Sequence, residues 1–257
     1  MKQLLYTLFI YMSVAFLTSC GQDEQEAIPE TQKQNITFDG SVLDFLHQGY
    51  YEDYAFDSLK YSVDKLSDLQ EALQGDSVTL FIVTDKSFDI AENILEQLRK
   101  TTGKGGRLSL DDLMIEPFDI VDTVITTDPL TSESDTAYVY HHYDYRESLR
   151  KLIGKYIFKQ ALTTTNCDEE DYPSLFDYRM NIEQPVSDAG GLEGAGYRIF
   201  QLVETGGSKL QSSWVRANVV VADIRCANGY VHILSPQHEL GFNTITSYFN
   251  NYGNENK

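Results

Sequence analysis

Val219–Leu234 reads VVVADIRCANGYVHIL, and Val78–Phe88 reads VTLFIVTDKSF. These two stretches decide the fold. In the first, two apolar runs flank Asn228-Gly229, a pair that tolerates positive φ and reverses a chain between antiparallel strands. The spacing predicts a β-hairpin. In the second, Val78–Val83 is an apolar, β-branched run that suits a buried strand. Thr84 then offers a hydroxyl to the first-turn N–H groups of a helix, and Asp85 meets the favourable end of its dipole. Phe88, Ala91, Ile94, Leu95 and Leu98 recur at helical spacing, and Gly103 closes that helix.

Outward from these stretches, the N-terminal half reads as helical and the C-terminal third as β-rich. Ser41 is an N-cap signal for a short helix ended by Gly49. Tyr54, Ala55, Leu59, Val63 and Leu66 predict a second helix, and Leu69, Ala72 and Leu73 a third, closed by Gly75. Leu108–Met114 suits one further helical turn. Residues 118–145 alternate polar and apolar around an Asp-rich turn, which predicts an inserted β-hairpin. Arg146–Phe158 carries a helical stripe, and Lys155–Ala161 also reads as strand. Tyr197–Val203, Trp214–Ile224 and Tyr230–Leu234 are strand runs. Helices first and strands later give an α+β class with one core.

The two segments together resemble the signature regions of fasciclin-type domains. Thr84, Asp85 and Phe88 match the first family pattern, with Val83 in place of Pro and Ser87 in place of Ala. Asp223, Ile224, Asn228, Gly229 and His232 match the second, with Ser235 where Asp is usual. Tyr156 stands at the family's Tyr-His element but is followed by Ile157. The resemblance implies a fasciclin-like domain over residues 38–241, with helices packed on a β-rich wedge and an enlarged insertion at 101–146. It also implies a role in adhesion or in contact with extracellular matrix and glycans. His232, between Val231 and Ile233, reads as a core histidine whose two nitrogens need partners.

The N-terminus supplies an address. Leu4–Leu17 is an apolar run, short of the roughly 20 residues that span a bilayer but suited to a signal-peptide core. Leu17-Thr18-Ser19-Cys20 resembles a bacterial lipobox. The resemblance implies a signal peptide at 1–19 and acylation of Cys20; the Gln/Glu/Thr-rich stretch that follows, with Pro29 and no apolar periodicity, reads as a flexible tether over 20–37. Gly21-Gln22-Asp23-Glu24 is similar to surface-export signals of Gram-negative lipoproteins, so the expected location is the outer membrane, on its outer or its periplasmic face. Residues 242–257 read as a tail.

The chain has 257 residues and a formal charge of −19. An excess this acidic excludes nucleic acid as a partner, because phosphate binding needs concentrated Lys and Arg. No nucleophile elbow or metalloprotease motif is present, and two Ser-x-x-Lys matches lack their companion motifs. Gly190–Gly196 lacks the Lys-Ser/Thr of a phosphate loop. His141 and His142 alternate across a strand, a poor geometry for one metal. No cofactor, metal or catalysis is therefore expected. Cys167 and Cys226 are either bridged in an oxidising compartment or two free thiols. The candidate ligand-binding residues are Tyr138, Tyr140, His142 and Tyr143; the first three share one strand face, which either meets ligand or packs on the domain. Tyr50, Tyr51 and Tyr54 form a second aromatic group. Asp128, Glu133 and Asp135 offer oxygen ligands for Ca2+ or form a solvated loop. The function these features favour is a membrane-anchored binding module for extracellular protein or glycan. An accessory subunit of an outer-membrane glycan-uptake complex is the alternative, and a carboxylate hydrolase the third reading.

Overall fold

The computed structural model describes residues 30–33, 36–127, 129–132, 134–188, 190–249 and 252. The expected signal peptide, Cys20 and most of the expected tether lie outside them. Ser41 caps α1 (Val42–Leu46) through a capping box: its hydroxyl accepts from the Asp44 N–H, and Asp44 accepts from the Ser41 N–H. Next come β2 (Tyr50–Tyr51) and β3 (Tyr54–Ala55), which pair as a miniature hairpin. The helix expected from Tyr54 therefore begins later, as α2 (Asp57–Lys65), followed by α3 (Ser67–Leu73). β4 (Val78–Ile82) is buried at every residue, as its unbroken apolar run requires. α4 (Asp85–Thr101) buries Phe88, Ala91 and Leu95. α5 (Leu110–Leu113) precedes the hairpin β5 (Phe118–Thr127) and β6 (Ser134–Tyr143). α6 (Tyr145–Gly154) then leads to β7 (Ile157–Phe158). Two strands follow that the sequence does not announce, β8 (Asp171–Pro173) and β9 (Arg179–Glu183). The chain ends in β10 (Gln201–Glu204), β11 (Val215–Cys226), β12 (Gly229–Leu234) and α7 (Ile245–Phe249).

The main sheet runs β7-β4-β12-β11-β10-β9-β8. β4 and β12 are parallel, and the other neighbours in that order are antiparallel. β11 joins two halves: residues 215–218 pair with β10, and 219–226 with β12. α1 packs on β4 and β12, and α7 on α4 and α6. This is the α+β architecture that the order of elements predicts.

Both expected domain boundaries move outward. β10 leaves β11 at Asn218, which opens the edge of β11 beyond it. β1 (Gln32–Lys33) fills that edge in parallel, opposite Val221 and Ala222, and Thr37 bridges to Arg225. The Thr31 hydroxyl donates to the Val219 carbonyl and accepts from the Phe200 N–H. Thr31, Gln32, Lys33 and Thr37 thus bond to the sheet rather than belong to a tether. An unpaired row of backbone groups over a core is costly, and this segment satisfies it. At the other end, Ile245 and Phe249 are buried, so the described part of the tail belongs to the core.

Candidate functional site

The signature residues form two structural clusters. Asn228 lies at the β11–β12 turn. Its Oδ1 accepts from the Val42 N–H at 2.8 Å, and its Nδ2 donates to the carbonyls of Leu73 and Gly75 at 2.9 and 2.8 Å. One side chain therefore satisfies the start of α1 and the end of α3. Gly229 has no positive φ, contrary to the expectation for an Asn-Gly turn; Ala227 and Asn228 form the turn and Gly229 opens β12. Its glycine is needed for another reason. A Cβ there would stand 1.8 Å from the Val78 carbonyl oxygen. At the second cluster, a bulge in β11 places Asp223 at φ 63°. Its N–H donates to His232 Nδ1 at 3.1 Å, and its carboxylate accepts from the Thr164 N–H at 3.0 Å and from the Thr164 hydroxyl. His232 Nε2 donates to the Leu162 carbonyl at 3.0 Å. Both ring nitrogens are occupied, the ring is fully buried, and burial lowers its pKa. His232 is a neutral core histidine.

Thr84 acts differently from the sequence expectation: its hydroxyl meets Ser87 Oγ at 3.2 Å and makes no bond to the backbone of α4. Asp85 opens the first turn of α4 as expected, and its carboxylate also accepts from the Ser58 N–H in the first turn of α2 at 2.8 Å. The residue before α2 is Phe56, which cannot cap it. The cap comes from a neighbouring helix, a pairing that no local pattern encodes. Phe88 is buried, as expected.

Two further polar groups escape sequence reasoning. Tyr156 lacks an adjacent His, yet its hydroxyl meets His238 Nε2 at 2.8 Å and accepts from the Gly241 N–H at 2.8 Å. It therefore donates to His238, whose pKa burial and the nearby Lys155 push down to about 3. Lys155 is 1 % exposed and donates to both oxygens of Glu204, at 2.9 and 3.0 Å, and to Thr244. A buried ammonium needs such a set of partners. His238, Gly241 and Thr244 all lie beyond β12, so this network pins the C-terminal segment to α6.

Cys167 and Cys226 are free thiols, which corrects the bridged reading. Cys167 lies beside Thr163, near Asp223. Cys226 ends β11, three residues beyond Asp223. Burial raises the two thiols to about 11 and about 12, so neither is poised as a thiolate.

What faces solvent is the inserted hairpin. β5 and β6 pair over ten residues each without a register shift, from Phe118↔Tyr143 to Thr127↔Ser134. At about 3.4 Å per residue, this arm is roughly 34 Å long. Its root is aromatic: Phe118 stacks on Tyr143 at 5.5 Å, Tyr143 on Tyr145 at 6.1 Å, and Tyr145 lies 6.0 Å from Phe249. Tyr143 is thus half-buried in the root, on the face opposite Tyr138, Tyr140 and His142. It is removed from the set of candidate contact residues. Beyond the root both faces are open. Tyr138 and Tyr140 are 63 % and 74 % exposed, and Val121 and Ile125 share their face. The face meets solvent rather than the domain. His142 Nδ1 donates to Asp119 Oδ1 at 2.7 Å at the foot of the face, and His141 pairs with Asp122 at 3.2 Å on the other side. These exposed pairs contribute at most about 1 kcal/mol each. Tyr50 is also exposed, whereas Tyr51 packs on Phe45 at 5.8 Å. Asp128 and Glu133 lie outside the described residues, and among those residues no group of three or more His, Cys, Asp or Glu could hold a metal.

No family model matches this chain, and no curated protein matches it. Among solved structures it is similar to the FAS1 domain pair from the insect cell adhesion molecule Fasciclin I, with a TM-score of 0.37 and 15 % sequence identity. The match covers 72 % of this chain and 45 % of that one, so the chain spans less than half of that structure's length.

Proposed function

We propose that this chain is a non-catalytic binding module of a bacterial cell envelope, anchored by acyl chains on Cys20 and displayed at the outer membrane. Its contact surface is the Tyr138–Tyr140–His142 face of the hairpin, and its ligands are extracellular proteins or glycans. The observation that carries this reading is the exposure of that face on an arm standing clear of the main sheet. A Tyr ring stacks on the apolar face of a sugar, or on a protein side chain, while its hydroxyl stays hydrated. Contiguous exposed apolar surface of this kind marks interaction sites. The buried signature residues, by contrast, are engaged in holding elements together. Asn228 clamps two helix ends, and His232 uses both ring nitrogens inside the core. The sequence likeness to fasciclin-type signatures and the lipobox-like Cys20 support adhesion from a membrane anchor. With two or more acyl chains, burial at roughly 0.8 kcal/mol per CH2 gives a stable anchor.

Two measurements test this. Palmitate labelling in cells is expected to reach the chain and to vanish in Cys20→Ala; labelling that persists contradicts the anchor. Glycan arrays and matrix proteins probed with the full chain are expected to yield ligands that Tyr140→Ala weakens. No binding at millimolar ligand contradicts the binding role.

A further inference from the structure

The hairpin carries a second consequence, in its edges rather than its faces. Among the described residues, the backbone of 134–143 pairs only with β5, so the outer edge of β6 offers a row of free N–H and C=O groups. Natural proteins blunt such edges with Pro, Lys or a bulge. β6, SDTAYVYHHY, has none of these, and its register is unbroken. A two-stranded ribbon with both faces wet is marginal by itself, and three or more strands are needed for an independently stable sheet.

The charge on β6 selects its partner. Asp135 lies at one end and His141-His142 at the other, with no Lys or Arg anywhere between residues 108 and 145. Such a strand is complementary to an antiparallel copy of itself. Centred on Tyr138, the pairing puts Asp135 opposite His141 of the second copy, twice over. It also sets Ala137 opposite Val139, Thr136 opposite Tyr140, and Tyr138 opposite Tyr138. Aromatic pairs and aromatic–β-branched pairs are favourable cross-strand neighbours, and an imidazole N–H can donate to a carboxylate. The β5 edge lacks this match, since it carries Asp119 and Asp122 and no His, Lys or Arg. We infer that the chain forms a two-fold homodimer by antiparallel pairing of β6 with β6 of a second copy, making one four-stranded sheet β5-β6-β6-β5. This goes beyond the binding role: it leaves both faces open and sets the two Tyr138 rings side by side on one shared face, with the two Tyr140 rings flanking them, so that two weak contacts act as one.

The test is sedimentation of the full chain without ligand, from micromolar to near-millimolar protein, so that its outcome does not depend on ligand binding. A concentration-dependent monomer–dimer equilibrium is expected. Tyr138→Lys, an exposed substitution that sets two ammonium groups opposite each other, is expected to raise the dissociation constant roughly tenfold or more. Under mild oxidation, Tyr138→Cys is expected to give a covalent dimer in excess of Ile125→Cys on β5, with the unsubstituted chain as baseline. A chain that stays monomeric overturns the inference. So does a dimer that resists Tyr138→Lys, or covalent capture no greater at 138 than at 125.

Discussion

Replacing Gly229 with Ala probes the closest backbone approach in the signature region. The added Cβ would lie 1.8 Å from the Val78 carbonyl oxygen, 2.8 Å from its carbon and 3.0 Å from its nitrogen. An ordinary carbon–oxygen approach is about 3.3 Å or more, so β12 and β4 must part by roughly 1.5 Å at this point. All three neighbours are backbone atoms of a strand buried at every residue, so no side chain can swing away. Parting also stretches the bond from the Val78 N–H to the Asn228 carbonyl, now 3.1 Å, at the start of the parallel ladder. Overpacking of this kind costs about 1–3 kcal/mol, and a lost backbone bond about 1 more. The expected loss is about 2–4 kcal/mol. With a urea slope near 3 kcal/mol/M, the unfolding midpoint should fall by about 1 M. Gly106→Ala is the control. Nothing lies within 4 Å of its added Cβ and its φ is not positive, so its midpoint should stay within about 0.2 M of the parent. A fall under about 0.3 M for Gly229→Ala would refute the idea that close approach, rather than turn conformation, requires this glycine.

Asn228→Ala should lower the thermal midpoint by roughly 5–12 °C, because it strands one N–H and two carbonyls at helix ends; a melt within 2 °C of the parent, at about that resolution of the method, would contradict the clamp. Stability should fall with acid through His238. Its pKa is about 3 in the fold against 6.5 free, so the unfolded chain takes the proton first. Its contribution is complete above pH ~6.5 and is lost progressively toward pH ~3, with about 2 kcal/mol gone at pH 5. Urea midpoints at pH 7 and pH 5 should converge more in His238→Gln than in the parent, a comparison that separates His238 from Glu239, whose buried carboxyl is shifted up; equal slopes would contradict the assignment. Cys167 and Cys226 should both take an alkylating reagent in unfolded, unreduced protein, and a mass shift on reduction would show a bridge instead.

The legible parts of this fold are those where a local pattern and burial agree. Val78–Ile82 is apolar throughout because both of its faces are covered, and Ser41 announces α1 through a capping box complete within four residues. β1 was illegible because Gln32 and Lys33 are exposed; their pairing exists only because β10 abandons β11 at Asn218. β8 and β9 lie in a segment rich in Asp, Glu and Pro, and the sheet edge rather than their own propensity makes them strands. The Asn-Gly pair marks the hairpin legibly, yet Gly229 answers Val78, 151 positions away in sequence, rather than its own turn. In the candidate site, the alternation of 138, 140 and 142 gave the shared face. Which way that face looks is not set by its own alternation. It depends on the Phe118–Tyr143–Tyr145 root at the foot of the hairpin, which half-buries Tyr143.

The proposed contact is made by the open tyrosine face of the arm. Titration of an array-identified ligand against the full chain and against Tyr138→Ala/Tyr140→Ala measures this directly. The double variant removes two exposed rings and should fold like the parent, yet lose affinity by tenfold or more, on the order of 1.4–3 kcal/mol. Tyr50→Ala, an equally exposed ring elsewhere, should bind as the parent does. Unchanged affinity in the double variant would place the contact elsewhere on the molecule and contradict the account.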